Sequence, residues 1–402
     1  MDVNNKKTKI LLIGCTGFLG GRLLEKLVSN SKNEISVISN SFSGNGLARA
    51  ARFSVNIIPG NILDIESMKD SFKGIDVVIN GSYLKGGGKN TKLSVKGTEN
   101  LIKLAKENNI KQFIQISSAA VFEPDNSPLK NEESSFISKP DDYVKTKLLT
   151  EKKISNSFKI NKKESTRFTI IRPTRIYGPY SDFWTKRILD AIKENKITLI
   201  EDFKSNPSNF VYVDDVCRAI EISILNDQAY NQDFNINGEK ELTWEKLIGG
   251  FNKILGTSNN EAVSFLELKR INSLKTRKML PNALSSLKKV LLSNESLDIF
   301  RNDLLLSTLY RNFYGRFRRS DKSISYSEPL KSSNKDYSFL DRYCIKDMKA
   351  KTYICSEKIK NTLDFKSEFN FEKSVDEIAS WYKFFSREDF VIKDFLEDQS
   401  EQ

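Results

Sequence analysis

The chain contains no histidine, so any proton transfer it performs falls to tyrosine, lysine, cysteine or a carboxylate. Ser-His-Asp and Cys-His hydrolases, H-E-x-x-H zinc enzymes and histidine proton shuttles are thereby excluded. Chemistry-bearing residues gather in three places. Tyr143 and Lys147 stand one helical turn apart in Tyr143-Val144-Lys145-Thr146-Lys147, a spacing that puts both on one helix face. A phenol of pKa about 10 is a poor base at neutral pH, but a nearby ammonium favours its phenolate and brings it toward the working range. The paired hydroxyls of Ser117 and Ser118 close the apolar run Gln112–Ile116, at the strand edge where open parallel sheets present ligand-contacting groups. Finally, Gly14-Cys15-Thr16-Gly17-Phe18-Leu19-Gly20 has the form G-x-x-G-x-x-G. Glycines in such a turn let backbone approach a pyrophosphate whose charge meets a helix N-terminus.

Each signal has a plainer reading. A glycine turn can serve helix packing alone, and Y-x-x-x-K arises in many helices as a surface tyrosine and lysine. The elements around them decide in favour of chemistry. Ile10–Ile13, Ile35–Ile38, Val55–Ile58, Asp76–Ile79, Gln112–Ile116 and Phe168–Ile171 read as strands. Helical apolar spacing runs through Leu19–Val28, Thr91–Asn108 and Asp142–Ile154. Repeated β-α units predict a parallel sheet with helices on both faces, and unalternating apolar runs suit strands buried on both sides. The glycine loop then falls between a strand and a helix, with a second strand following, as dinucleotide binding requires. The second strand ends at Ser39-Asn40, where an NAD-selective site places a carboxylate for the ribose hydroxyls. Arg49 and Arg52 are the candidates to meet a 2′-phosphate, which tilts the reading toward NADP and leaves NAD open.

A chain of 402 residues has room for one large α/β domain with a second lobe, or for two to three ordinary domains. Its 39% hydrophobic and 10% aromatic content is enough for a true core. No run approaches the ~18 apolar residues of a membrane span, and Met1–Lys9 shows no apolar signal core. The four cysteines form no C-x-x-C pair, so a reducing compartment is expected and no metal site. The net charge of +12 is concentrated: Lys269–Lys322 holds 13 basic and 4 acidic residues. Within it, Pro281–Arg319 carries apolar residues at helical spacing opposite Lys288, Lys289, Arg301, Arg311, Arg316, Arg318 and Arg319. That stripe suits a lid packed on the substrate lobe, with an interfacial helix pair on an anionic membrane and a basic lid over a nucleotide diphosphate as rivals. Nucleic acid is not expected, since no recognised binding module is present. Ser320–Ser338 reads as a flexible loop and Glu388–Gln402 as a loose acidic tail.

At this point the chain resembles the extended short-chain dehydrogenase/reductases, in particular the NAD(P)-dependent epimerase/dehydratase group. The pieces that carry the resemblance are G-C-T-G-F-L-G (14–20), G-N-I-L-D (60–64), V-K-G-T-E-N (95–100), S-S-A-A-V-F (117–122), Y-V-K-T-K (143–147), R-P-T-R-I-Y-G-P (172–179) and F-V-Y-V-D-D-V (210–216), in the family's order. Ser356-Glu357-Lys358 to Trp381-Tyr382 is similar to its closing stretch. The resemblance implies a Rossmann-type doubly wound parallel sheet over residues 1–175. It further implies a smaller, discontinuous C-terminal substrate lobe over 176–386, interrupted by the basic insertion at about 266–350 and followed by a tail at 387–402. It implies NAD or NADP as cofactor, with Gly14, Thr16, Gly17, Phe18, Leu19 and Gly20 on the pyrophosphate. Ser39 and Asn40 would face the ribose, Asn61 and Ile62 the adenine, and Gly81, Ser82 and Ser117 would lie along the cofactor. Tyr143 would be the general acid/base, Lys147 would bind the nicotinamide ribose and lower the tyrosine pKa, Ser118 would hold the reacting oxygen, and Pro173 would close over the nicotinamide.

The chain departs from the family pattern at Asn61, where Asp is usual, at Gly81-Ser82, where Ala-Ala is commoner, and at Ser94, where Asn is common. Members that eliminate water or decarboxylate carry an acid just after the active Ser/Thr, and here Ala119 and Ala120 stand there. Alanine cannot protonate a departing hydroxyl, so an epimerase or 4-ketoreductase acting on a nucleotide-activated sugar is expected ahead of a dehydratase. A hydroxysteroid-dehydrogenase-like oxidation of a lipid-like alcohol and a non-catalytic cofactor-binding protein are the alternatives. The expected setting is cytoplasmic, with a homodimer and a peripheral membrane contact through 281–319 as partner expectations. Asp214 and Asp215 read as helix-capping residues.

Overall fold

The computed structural model describes residues 7–40, 45–123, 127–158, 166–257, 262–270 and 344–397. The basic helices expected at 281–319 and the loop at 320–338 lie outside the described residues.

Thr8–Ile13 forms β1 and Phe18–Ser29 forms α1, with the glycine loop between them. The chain continues through β2 (Asn33–Ser39), α2 (Asn45–Ala50), β3 (Asn56–Pro59), β4 (Val77–Asn80), α3 (Gly88–Glu107) and β5 (Gln112–Ile116). Short β6 (Leu129–Lys130) precedes α4 (Asp142–Phe158), β7 (Arg167–Pro173) and β8 (Arg175–Tyr177). Then come α5 (Arg187–Lys193), β9 (Leu199–Ile200), β10 (Phe210–Tyr212), α6 (Val213–Ser223), β11 (Gln232–Ile236), α7 (Trp244–Leu255), β12 (Ala262–Val263) and β13 (Tyr353–Ile354).

Seven parallel strands make the central sheet in the order β11-β7-β5-β4-β1-β2-β3. The chain runs outward from β1 through β2 to β3 and then restarts on the other side of β1 with β4. That reversal makes the crevice between the carboxyl ends of β1 and β4 the place where an open α/β sheet takes a ligand. Both faces of the sheet are buried, as unalternating apolar strands require. Ile10 and Leu12 of β1 face a core shared with Leu23, Leu24 and Leu27 of α1, with α6 and with the smaller lobe. Leu11 and Ile13 face the opposite core with Leu101 and Leu104 of α3 and Ile154 and Phe158 of α4. Each such side chain contributes about 2 kcal/mol by leaving water.

The 1–175 expectation holds six of the seven strands. The seventh, β11, comes from residues 232–236, where Phe234 and Ile236 alternate with polar residues and no unbroken apolar run marks a strand. The smaller lobe is assembled from distant pairings: β8 with β10, β9 with β12, and β6 with β13. The late segment is tied down through Asn237, whose backbone N–H donates to Ser356 (2.7 Å), and through Asn209, whose amide donates to the Thr352 carbonyl (2.8 Å). The last helix, Phe371–Glu397, packs on α7, where a Cβ on Gly250 would lie 2.5 Å from the Phe371 ring. It continues through Glu397 into the stretch expected as a loose tail. Among the described residues no helix is long and apolar enough to cross a membrane.

Asp214 and Asp215 do not cap α6. They occupy its first turn, and Tyr212 stands at the cap position without a side-chain bond. Asp214 instead pairs with Arg22 and Lys26 of α1. Asp215 receives the Ser367 hydroxyl and the Glu368 backbone N–H (3.0 Å), which docks the segment leading to the last helix. Burial pushes the Asp215 carboxyl up to about 6, against the pull of the Ser367 bond. An acid whose folded pKa is raised loses stability as pH climbs from about 4 to about 6, and the loss persists above that window. Asp215→Asn keeps an acceptor for Glu368 and drops the charge, so it should stabilise the fold by about 1–2 kcal/mol at neutral pH and by little at pH 4. Denaturant midpoints at the two pH values check this, and equal shifts at both would refute it.

Candidate active site

The glycine loop is shaped by contacts that exclude side chains. Gly14 has φ +91°, and a Cβ there would sit 2.8 Å from the Gly81 carbonyl carbon. At Gly20 a Cβ would fall 2.1 Å from the Gly14 oxygen, so this glycine lets α1 close on β1. Gly17 differs, because a Cβ there meets the Gly14 oxygen at an ordinary 3.5 Å and otherwise open space. Thr16 and Gly17 are exposed, Phe18 and Leu19 half-buried. The first turn of α1 has neither a side-chain cap nor an acidic residue, leaving uncapped N–H groups to receive an anion. The cradle therefore fits a pyrophosphate. Cys15 is buried within it and its thiol is pushed up to about 11, so it packs rather than reacts.

Gly17→Val tests the cradle. The backbone at Gly17 (φ −80°, ψ 172°) accommodates valine, so the variant should fold normally yet bind NAD(H) and NADP(H) at least about a hundredfold more weakly, because the branched side chain occupies the pyrophosphate's place. Calorimetric titration of a folded variant with unchanged affinity would show the loop to be misread.

At the ends of β2 and β3, the Gly60 N–H donates to the Ser39 carbonyl (3.0 Å), which brings Ser39 beside Asn61; Asn40 is exposed. Asn61 is exposed and its side-chain oxygen receives the Leu63 N–H (3.0 Å). Ile62 instead packs over Gly97 of α3, and its carbonyl receives Asn100 (2.9 Å). Arg49 donates to Glu25 (2.6 Å) and lies 4.6 Å from the Tyr180 ring centroid, so the arginine considered for a 2′-phosphate is held elsewhere. Arg52 points largely into solvent, 3.9 Å from Glu25.

From the loop the site continues without a break. Gly81 follows β4, and a Cβ there would meet Ile116 at 3.2 Å; the Ser82 hydroxyl turns inward to Asn80 (2.7 Å). The Ile116 carbonyl at the end of β5 receives the Lys147 ammonium (3.0 Å). Lys147 lies 5.8 Å from the Tyr143 ring centroid and 5.7 Å from that of Tyr83. The two tyrosines meet edge to face at 5.2 Å. Ser118 bears on the Tyr143 phenol and accepts the Ala120 N–H (3.2 Å). Pro173 closes β7, buried and in register with Ile236 of β11. Ser117 does not face this cleft: its backbone N–H donates to Ile171 (2.7 Å) and its hydroxyl to Glu151.

Electrostatics here differ from the expected simple pairing. Burial pushes the Lys147 amine down to about 8, and Glu151 opposes that shift. Burial also raises the Tyr143 phenol above its ordinary value; the Ser118 bond lowers it, while Tyr83 and Asp141 add to the rise. Around the phenol oxygen the loss of water outweighs the Ser118 bond although the residue keeps an edge open to solvent, and the phenol holds its proton at neutral pH. Tyr83 and Glu151 are the residues the motif reading missed. Tyr83 belongs to no spacing pattern, and Glu151 announces itself only by standing one further turn along the helix after Lys147.

Comparison with known proteins bears on the family and the fold. Residues 11–241 match the 3-beta hydroxysteroid dehydrogenase/isomerase family. The chain is 28% identical over 273 residues to dTDP-D-glucose 4,6-dehydratase of Dictyostelium discoideum, covering 60% of this chain and 62% of that protein. It is 24% identical over 242 residues to the human decarboxylating sterol-4-alpha-carboxylate 3-dehydrogenase, covering 58% and 61%. The chain thus spans about three fifths of the length of these curated relatives. Among solved structures, UDP-glucose 4-epimerase of Thermotoga maritima superposes with a TM-score of 0.63 at 16% identity, over 94% of this chain and 99% of that one. UDP-glucuronic acid 4-epimerase of Bacillus cereus, solved with NAD, gives 0.63 at 18% over 94% and 99%. With its parallel sheet, its glycine cradle and its Ser-Tyr-Lys cleft, the chain belongs to the 3-beta hydroxysteroid dehydrogenase/isomerase family of extended short-chain dehydrogenase/reductases.

Proposed function

We propose that the protein is an NAD(P)-dependent oxidoreductase that moves hydride at a hydroxyl-bearing carbon of a nucleotide-activated sugar, as an epimerase or 4-ketoreductase. The observation that carries this reading is the convergence of Ser118, Tyr143 and Lys147 beside the glycine cradle, with alanine at 119 and 120. Gly14, Gly17, Gly20 and the start of α1 would hold the pyrophosphate, and Asn61 the adenine. Bound NAD(P) supplies the carbon that accepts or returns hydride. Tyr143 exchanges a proton with the substrate oxygen, and its raised pKa readies it as an acid toward a ketone. Ser118 donates to the same oxygen and fixes its distance from the phenol. The Lys147 ammonium stabilises the phenolate whenever the phenol has given up its proton. Elimination of water is disfavoured because the two positions after Ser118 carry no acid: Ala119 is buried and Ala120 offers only a methyl group.

A second reading, oxidation of a sterol-like secondary alcohol, is favoured by the hydroxysteroid family to which residues 11–241 belong. Both are tested by following nicotinamide absorbance with UDP- and dTDP-sugars and with 3-hydroxysteroids, each with NAD and NADP, alongside chromatographic detection of epimerised sugar. Turnover of the sugars alone supports the first reading, and turnover of the steroids alone replaces it with the second. Tight cofactor binding with no turnover of either class would overturn both.

A further inference from the structure

Beneath the cleft runs a buried line of charges that no step above uses. One turn beyond Lys147 on α4, Glu151 receives the Ser117 hydroxyl together with Nε (3.0 Å) and Nη2 (2.8 Å) of Arg172 from β7. Arg172 also reaches Asp233 of β11, whose other oxygen takes the Lys358 ammonium (3.0 Å). The rings of Phe122 and Phe136 cover the guanidinium at 5.6 and 5.2 Å. Ser117, Glu151 and Arg172 are each 5% exposed or less. A buried carboxylate with this many donors is a costly thing to keep unless it has a task.

Its placement indicates the task. Ser117 is the immediate neighbour of Ser118, and Glu151 shares a helix with Tyr143 and Lys147, so the Ser117–Glu151 bond ties the strand end to the helix beneath the cleft. Around the Lys147 amine stand Tyr143 and Glu151 from its own helix, Tyr83 from the loop after β4, the Ile116 carbonyl from β5 and, behind Glu151, Arg172 from β7. Glu151 is the carboxylate that bears on it. We propose that Glu151 is a positioning residue for this site: it holds the Ser118 strand against the Tyr143–Lys147 helix, and its negative charge keeps the Lys147 ammonium charged inside the fold. The effect on turnover rests on the oxidoreductase reading; the effect on Lys147 does not.

The test is therefore a titration of Lys147 itself, by NMR of the full chain with ¹³C-labelled lysine, the resonance being identified by its loss in Lys147→Met. In Glu151→Gln the Lys147 midpoint should fall by about one pH unit or more, and the alkaline limb of kcat/KM should move to lower pH with it, with cofactor affinity little changed. Glu151→Asp should restore both. Arg172→Met removes the bond from β7 to Glu151 but leaves the carboxylate and its Ser117 partner, so it should not lower the midpoint, which separates the Glu151 charge from the packing around it. Should Glu151→Gln fail to fold, the double variant Glu151→Gln/Arg172→Met removes the orphaned guanidinium and the same titration decides. An unmoved Lys147 midpoint overturns the proposal whether or not any substrate turns over. A wild-type chain without turnover counts against the oxidoreductase reading alone.

Discussion

Replacing Tyr143 by Phe should lower turnover by about a hundredfold or more while leaving cofactor binding intact. The change removes one oxygen and almost no volume. The ring keeps its edge-to-face contact with Tyr83 at 5.2 Å, and α4 keeps its place against α3, so fold and cradle have no reason to respond. What disappears is the group to which the proposed mechanism gives proton exchange with the substrate oxygen, and a positioned acid or base is worth about 10²–10⁴-fold. Residual activity would come from Ser118 and from hydride alignment. Tyr83→Phe is the matched control, since it removes a phenol oxygen from the same aromatic pair without touching proton transfer. Steady-state rates and cofactor titrations on both variants settle the point. Near-normal turnover in Tyr143→Phe, or an equal loss in Tyr83→Phe, would remove Tyr143 from its assigned role.

Much of the sheet was legible because strands buried on both faces read as short, mainly apolar runs between turn and helix signals. Ile10–Ile13, Ile35–Ile38 and Gln112–Ile116 fall within β1, β2 and β5. β11 was not legible for the converse reason. It closes one edge of the sheet, and the face it turns toward α4 carries Asp233 and Asn235 in place of aliphatic residues. Asp233 makes sense only once Arg172 lies beside it on β7, and strand order is invisible to local pattern. The pairings of the smaller lobe hide similarly, because strands of two or three residues, joined across anything from 35 to 224 residues, leave no period to read.

The site shows the same division. Gly14, Gly17, Gly20, Tyr143 and Lys147 are fixed by short spacings, and the fold brings them to adjoining strand ends. Ser117 and Ser118 are equivalent in sequence, yet their side chains go opposite ways, as successive positions of extended backbone must. Ser118 therefore bears on the phenol and Ser117 on Glu151. Spacing places Tyr143 and Lys147 together but does not contain the water the fold removes from them, which raises the phenol and depresses the amine.

The burial of the Lys147 amine makes Lys147→Met the most informative substitution in the molecule, because activity and stability should move in opposite directions. Turnover should fall by about a hundredfold or more, since the phenolate loses the charge that stabilises it. Stability should rise. A lysine held at about 8 against an ordinary 10.5 carries a penalty on the order of 3 kcal/mol. Methionine fills a similar volume without a charge to desolvate. Against this, the Ile116 carbonyl loses its 3.0 Å donor, which costs about 1 kcal/mol. Glu151 keeps Arg172 and Ser117, so no carboxylate is orphaned. The net gain is about 2 kcal/mol at neutral pH, and its pH dependence identifies the cause. Below about pH 8 the wild-type amine is protonated in both folded and unfolded chains, and the penalty is complete. Between about 8 and 10.5 the unfolded chain holds the proton that the folded chain has released, so wild-type stability climbs across that window. The methionine variant has nothing to titrate there, and its advantage should shrink as pH rises. Denaturant unfolding of both proteins without cofactor, from pH 7 to pH 10, measures the difference directly. A Lys147→Met protein less stable than wild type at pH 7, or an advantage that does not shrink toward pH 10, would mean that the buried ammonium is a structural support and not a strain the fold carries for its chemistry.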